Sequence, residues 1–209
     1  DIIKDRQYTM QKNSVGRRSA QTALYHIAEA MVRWMAPILS FTAEEIWGYM
    51  PGERAESVFL TTWYTKLDAL EKENPLDAAY WDEMIHVRYI VNKELEKYRN
   101  EGKIGSPLEA EVNLYADETY FALLSRLQSE LRSVFITSEA KVLPADKRPQ
   151  DAQATEINGL WILVNPSSNP KCVRCWHRRS DYGVDPEHPE LCGRCVENVE
   201  GKGEVRLFA

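Results

Sequence analysis

Apolar positions along this chain repeat first with a helical period, then with a strand period. From Gly16 to Pro37, Ala20, Leu24, Ile27, Ala28, Met31 and Met35 recur at one face of a 3.6-residue repeat, which predicts a long amphipathic helix ended or kinked by Pro37. Thr42 and Glu45 then stand in the S/T-x-x-E spacing that caps a helix, so a short helix is expected through Tyr49, closed by Pro51-Gly52. The β-branched and aromatic run 57–63 predicts an extended segment. A third helix is expected after Pro75, with Trp81, Met84, Ile85, Val91, Leu95 and Tyr98 on one side, a solvated charged stretch at 93–97, and Gly102 and Gly105 closing it.

The period then changes. Leu108, Ala110, Val112 and Leu114 alternate with Glu109, Glu111 and Asn113, the pattern of a half-buried strand. Phe121, Leu124, Leu127 and Leu131 return to helical spacing over 118–132, and 134–143 predicts another strand. Residues 144–154 hold two prolines and no large apolar side chain, which predicts a linker. Strands are expected at 160–164 and 204–208 around a cysteine-rich region. The expected fold is a mainly α helical bundle, then a small α+β unit, then a four-cysteine zinc-bound β module. Its divisions are 1–103 for the bundle, 104–143 for the α+β unit, 144–159 for the linker and 160–209 for the zinc-binding part.

Composition adds little to this outline and charge adds more. The 209 residues are 44% hydrophobic and 28% charged, enough for a core and a wetted surface, and no run of about 18 apolar residues could cross a membrane. The N-terminal DIIKDRQYTM has neither an apolar signal core nor an initiating Met, which reads as a piece of a longer chain. The net charge of −6 argues against wholesale electrostatic capture of nucleic acid and leaves room for local basic sites. Two such sites stand out. Residues 1–20 carry Lys4, Arg6, Lys12, Arg17 and Arg18 against Asp1 and Asp5, and residues 171–180 carry Lys171, Arg174, Arg178 and Arg179 with no acid.

The sharpest chemistry is C-x2-C-x16-C-x2-C, formed by Cys172, Cys175, Cys192 and Cys195. Two intervening residues let one tight turn aim two thiolates at a point, and two such turns supply four ligands for a tetrahedral zinc. Two disulfides would need an oxidising compartment, a thioredoxin-like dithiol would be a single motif, and a mixed site through His177 or His188 is geometrically open. The four-cysteine reading is preferred. It holds one structural Zn2+, because a closed shell leaves no position for an activated water. No glycine-rich phosphate loop, G-x-S-x-G elbow or H-E-x-x-H string occurs, so no catalytic residues are expected in this chain. His26 and His86 are expected to be packing or surface residues, and the Glu44-Glu45 pair a first-turn charge.

Particular strings carry a resemblance. KDRQYT (4–9), RRSAQTALYHI (17–27) and APILSFTAEEIW (36–47) resemble the anticodon-binding helical bundle of class I aminoacyl-tRNA synthetases of the isoleucine, valine and leucine branch. SVFLTTW (57–63), VNKELEKYR (91–99), IGSPLEAEV (104–112) and the paired C-x-x-C look like the C-terminal part of bacterial isoleucyl-tRNA synthetases. The resemblance implies an ATP-dependent ligase whose catalytic and editing domains lie upstream, and whose HIGH and KMSKS signatures do not occur here. It implies a region that grips the anticodon arm of isoleucine tRNA, in a cytoplasmic, monomeric protein with no membrane partner. The corresponding part of a valine or leucine enzyme, a zinc-ribbon protein-interaction module and a dithiol redox protein are the alternatives. RNA loops are bound by stacking on aromatics and by cations on phosphates. That chemistry makes Lys12, Arg17 and Arg18, with Arg174, Trp176, Arg178 and Arg179 beside the zinc, the candidate RNA contacts. Arg18 pairing with a bundle carboxylate, Trp176 capping the zinc core, and either arginine bridging to Asp181, Asp185 or Glu187 are the competing structural roles.

Overall fold

A computed structural model describes residues 2–70 and 73–208; Asp1, one of the N-terminal acids, lies outside them. Seven α-helices and a four-stranded sheet make up the described residues. Helix α1 (Lys4–Thr9) is followed by α2 (Val15–Met35), whose start is fixed by Ser14: its hydroxyl accepts from the Arg17 amide at 3.3 Å. Helix α3 (Ser40–Tyr49) begins two residues before Thr42, with Leu39 at its N-cap and no side-chain cap. The capping box therefore does not form. The Glu44-Glu45 pair lies beyond the first turn of α3, and Glu44 accepts from the Ser57 hydroxyl and the Val58 amide at 2.9 and 3.1 Å. Together with the Ser57 cap on Phe59, that turns the expected extended segment into a 3-10 turn, Val58–Leu60.

The first small core joins Val32, Ala36, Ala43, Trp47 and Val58. Above it, Glu29 is buried between Arg33 and Arg54, and both guanidiniums lie over the Trp47 ring, 4.7 and 4.4 Å from its centroid. The apolar stripe expected to be the inner face of α2 points elsewhere. Ala20 of that stripe is buried, but Leu24, Ile27 and Met31 are exposed, while Gly16, Ala30 and Val32 are buried, because α1 and α3 cover the other side of the helix.

Helix α4 (Ala78–Asn100) starts three residues beyond Pro75, capped by Asp77. It ends in a Schellman turn: the Lys103 amide reaches the Tyr98 carbonyl, the Gly102 amide reaches Arg99, and Gly102 takes the positive φ this requires. Its inner face, including Met84, Val87, Val91 and Leu95, packs into the main core with the sheet and not with α2 and α3. Each such side chain contributes about 1.5–3 kcal/mol on burial. Position 103 is therefore a turn and not a packing boundary. Ile85, expected inside, is exposed, and Glu94, in the stretch expected to be solvated, is buried.

Strand β1 (Ala110–Ala116) forms as its alternation predicts, with Ala110, Val112 and Leu114 fully buried. The expected single helix 118–132 is broken. Helix α5 (Glu118–Ser125) gives way to a 3-10 turn at Gln128–Glu130 and then to α6 (Leu131–Phe135), with Gln128 at positive φ. Leu124, Leu127 and Leu131 are buried, whereas Phe121 is partly exposed. Val134 and Phe135 belong to α6, so β2 begins later than expected, at Glu139–Pro144. It runs parallel to β1 after the α5–α6 crossover.

Residues 144–159 are not a free linker: they carry a 3-10 turn (Ala145–Lys147) and the edge strand β3 (Gln153–Ala154). Strand β4 (Leu160–Pro166) lies between β1 and β3, antiparallel to both, so the sheet order is β2-β1-β4-β3. A strand expected to open the zinc-binding part is thus a central strand of the preceding unit. Its alternating residues Leu160, Ile162 and Val164 bury against the same core as β1. Gly159 permits the turn into it, with φ +85 and the Asp117 carboxylate where a Cβ would sit.

Beyond β4, backbone pairing reduces to two isolated bridges, Lys171↔Arg178 and Tyr182↔Cys192, and helix α7 (Gly193–Val199). The cysteine module is therefore built from turns and a helix, not from strands. Residues 204–208 form no strand. With no neighbouring strand to pair with, the Leu207 and Phe208 amides donate to the Glu130 carboxylate at 2.6 and 2.9 Å.

Candidate metal centre and nucleic-acid face

The four thiol groups of Cys172, Cys175, Cys192 and Cys195 are buried, and their sulfurs all lie within 4.8 Å of one another. The first pair sits on a turn closed by the Trp176 amide on the Cys172 carbonyl at 2.9 Å. The second pair opens α7, with Cys192 at the N-cap position. Cys175 and Cys192 sulfurs are 3.7 Å apart. That is far beyond a disulfide, ~2.05 Å, and equals the edge of about 3.8 Å expected for a tetrahedron with ~2.3 Å Zn–S bonds. Two sulfurs also accept N–H groups: the Cys192 amide reaches Cys172 Sγ at 3.4 Å, and Arg174 Nη1 reaches Cys195 Sγ at 3.8 Å.

Packed thiols resist ionising together. Hydrogen bonds with Cys192 and Cys195, and then burial, push the Cys175 thiol up, while the contact with Cys175 pulls Cys192 down. A dication removes this conflict, so the donor set fits zinc. The bound ion would supply folding free energy to a segment with almost no apolar core of its own. Neither histidine joins the cluster. His177 is buried, with Nδ1 3.2 Å from the Cys175 carbonyl oxygen, and His188 pairs with Glu200 at 3.1 Å.

The basic candidates divide sharply. Lys12 and Arg18 are exposed at the turn before α2 and on its first turn. Arg17 is half-buried and donates to the Met10 carbonyl at 3.2 Å. Arg174 donates to the Thr9 carbonyl at 2.7 Å, pinning the first cysteine turn to α1. Arg178 donates to the Asn169 carbonyl at 3.1 Å and lies 3.5 Å from Glu109. Arg179 makes a two-point pair with Asp181 at 3.1 and 3.3 Å. Arg179 thus takes the Asp181 bridge, while Arg178 ties the first cysteine turn to Asn169 and Glu109. Trp176 does the reverse of capping the zinc core: it is 61% exposed, at a φ of +65°.

One assembly of residues escaped the sequence reading. Arg194 on α7 binds Asp5 and the Thr9 hydroxyl of α1 at 2.5 and 2.6 Å, and Glu204 at 2.8 Å. Arg206 joins Asp5 at 2.9 Å and Glu130 at 3.5 Å. Gln11 donates to the Gly201 carbonyl at 2.7 Å. The metal module and the C-terminal segment therefore clasp α1. The signal was the density of charge in KDRQYT and CGRC, and its meaning depends on contacts 185 or more residues apart.

Residues 1–114 match the family model described as the anticodon-binding domain of tRNA ligase, and the chain belongs to that family. Residues 169–198, which contain all four cysteines, match a zinc finger found in FPG and IleRS, and the cluster is the site of a structural zinc. Similar proteins are isoleucine--tRNA ligases: that of Nitrosococcus oceani is 61% identical over the whole chain, that of Methylococcus capsulatus 57%, and that of Pseudomonas entomophila 58%. The chain spans 22% of the length of each of these relatives. Among the described residues, no helix is long and apolar enough to cross a membrane.

Proposed function

We propose that this chain is the C-terminal, tRNA-gripping region of an isoleucine–tRNA ligase, a cytoplasmic and monomeric enzyme. The observation that carries this reading is likeness to such ligases along the whole of this chain, including both the anticodon-binding match and the four-cysteine module. In this reading the chemistry, ATP-dependent joining of isoleucine to its tRNA, belongs to the rest of the longer protein with its catalytic and editing domains. The region described here holds the anticodon arm of isoleucine tRNA so that the acceptor end reaches that distant site, an orientation effect. Lys12 and Arg18 supply phosphate contacts and Trp176 a stacking surface, since these candidates are the solvent-facing ones.

Deleting residues 169–209 from the longer ligase should cut aminoacylation of isoleucine tRNA while leaving isoleucine-dependent ATP–pyrophosphate exchange intact. A gel shift with the zinc-loaded chain should retain isoleucine tRNA in preference to valine tRNA. Equal retention of both, or unchanged aminoacylation after the deletion, refutes the assignment.

A further inference from the structure

Four thiolates carry more negative charge than one zinc ion cancels, so the loaded centre of Cys172, Cys175, Cys192 and Cys195 is a buried dianion. Burying net charge is costly unless cations and hydrogen bonds meet it. The basic groups around the cysteines differ in whether they are free to do so. Arg179 is held in its two-point pair with Asp181, and Lys171 and Arg178 both lie against Glu109. Arg194 is taken by Asp5 and Glu204. His177 turns its Nδ1 to the Cys175 carbonyl and not to a sulfur. Arg174 stands apart from all of these. Among the described residues no carboxylate lies within its ion-pair reach, and its guanidinium meets a cysteine sulfur directly.

That contact crosses the module. Arg174 sits between Cys172 and Cys175 in the first turn, yet its Nη1 lies 3.8 Å from Cys195 Sγ of the second pair. The same nitrogen lies 2.7 Å from the Thr9 carbonyl oxygen. A terminal guanidinium nitrogen carries two hydrogens, so one serves the sulfur and the other the carbonyl. Thr9 ends α1, where carbonyls lack partners within the helix and a cation is favoured. One planar group therefore bridges a helix end and a metal ligand. Arginine suits the position because its charge is permanent and its donors are fixed in a plane. A charged N–H beside a thiolate offsets part of its charge, and partners of this kind outside the ligand shell set how firmly a metal is held.

We infer that Arg174 is a positioning residue of the zinc centre: it balances the Cys195 thiolate and ties metal retention to the docking of α1. Linkage makes the coupling mutual, so the loaded centre steadies α1 and docked α1 raises the affinity for zinc.

The test compares the parent chain with Arg174→Ala, each loaded with zinc or with Co2+ in its place. Cobalt on thiolates gives a sulfur-to-metal charge-transfer band. Arg174→Ala should move that band to lower energy, because a sulfur stripped of a charged donor gives up electrons more readily, while the d–d bands stay tetrahedral. In competition with a chelator the variant should hold zinc roughly ten- to a hundredfold more weakly, the range for a lost partner outside the ligand shell. At saturating zinc, amide exchange in α1 should quicken. Arg174→Lys, which keeps a positive donor, should recover most of the lost affinity. Should Arg174→Ala not fold, Arg174→Gln is read by the same three measurements. An unmoved band with unchanged zinc affinity overturns the inference and leaves Arg174 a plain tether to Thr9. A shifted band with α1 exchange unaltered at saturating zinc overturns the link between the metal and the helix.

Discussion

Asp5 Oδ2 lies 2.5 Å from Arg194 Nη2, so the first helix and the last share an ion pair across 189 residues. Arg194 is almost wholly buried and Asp5 largely so. Burial raises the Asp5 pKa, but Arg194 and Arg206 outweigh it and hold the carboxyl at about 2, against an ordinary 3.8. The stabilisation is therefore complete above about pH 4 and is lost as pH falls toward 2, amounting to about 2 kcal/mol. Asp5→Asn should flatten the acid limb of the stability–pH curve in that window. It should also lower stability at neutral pH by about 3 kcal/mol, because Arg194 and Arg206 lose their shared carboxylate. Denaturant unfolding from pH 2 to 7 checks both; an acid limb as steep in the variant as in the parent removes Asp5 from the clasp.

Metal removal tests how far the module reaches. Chelation under reducing conditions, or Cys192→Ser, should release about one zinc per chain. Amide-exchange protection should fall across 169–200 and spread to α1, which Arg174 and Arg194 hold. Strand β4 should keep its protection, since β1 and β3 flank it. Loss of β4 protection along with the module would mean that the sheet and the metal site unfold as one unit.

How much of this was legible depends on whether a signal is local. The existence of helix α2, though not its buried face, and strand β1 were readable because period and alternation act within a few residues. The cysteine spacing was readable for the same reason. The break at Gln128 was hidden, because Leu124, Leu127 and Leu131 are buried with or without it. The segment 204–208 alternates like a strand, yet its amides meet a carboxylate brought from residue 130. Strand β4 looked like part of the zinc module because no local feature announces that β1 is its neighbour. Arg178 and Arg179 looked free for RNA because their partners, Asn169, Glu109 and Asp181, are chosen by the folded turn.

Those two arginines give a direct test of the revised view. Arg178→Ala with Arg179→Ala should lower the melting temperature and weaken zinc retention, by about 1 kcal/mol for each partly buried pair. The salt dependence of tRNA affinity should not move in a zinc-loaded sample. A flatter salt slope with unchanged melting temperature would return both residues to the RNA face.

Lys12 and Arg18 carry the opposite expectation. Both are exposed beside the start of α2, and the helix cap beneath them is made by Ser14 and not by either side chain. Replacing both with alanine should leave zinc content and melting temperature nearly unchanged, since exposed charges contribute little to folding. Each phosphate contact on single-stranded RNA adds about 0.7 to the slope of log affinity against log salt. The double variant should therefore flatten that slope by about 1.4. Affinity should fall most at low salt, where the released counterions matter most. Isoleucine activation by the longer ligase should stay constant, because it needs no grip on the anticodon arm. Titrating isoleucine tRNA at several salt concentrations, on preparations matched for zinc, measures the slope; an unaltered slope places the phosphate contacts elsewhere on the chain.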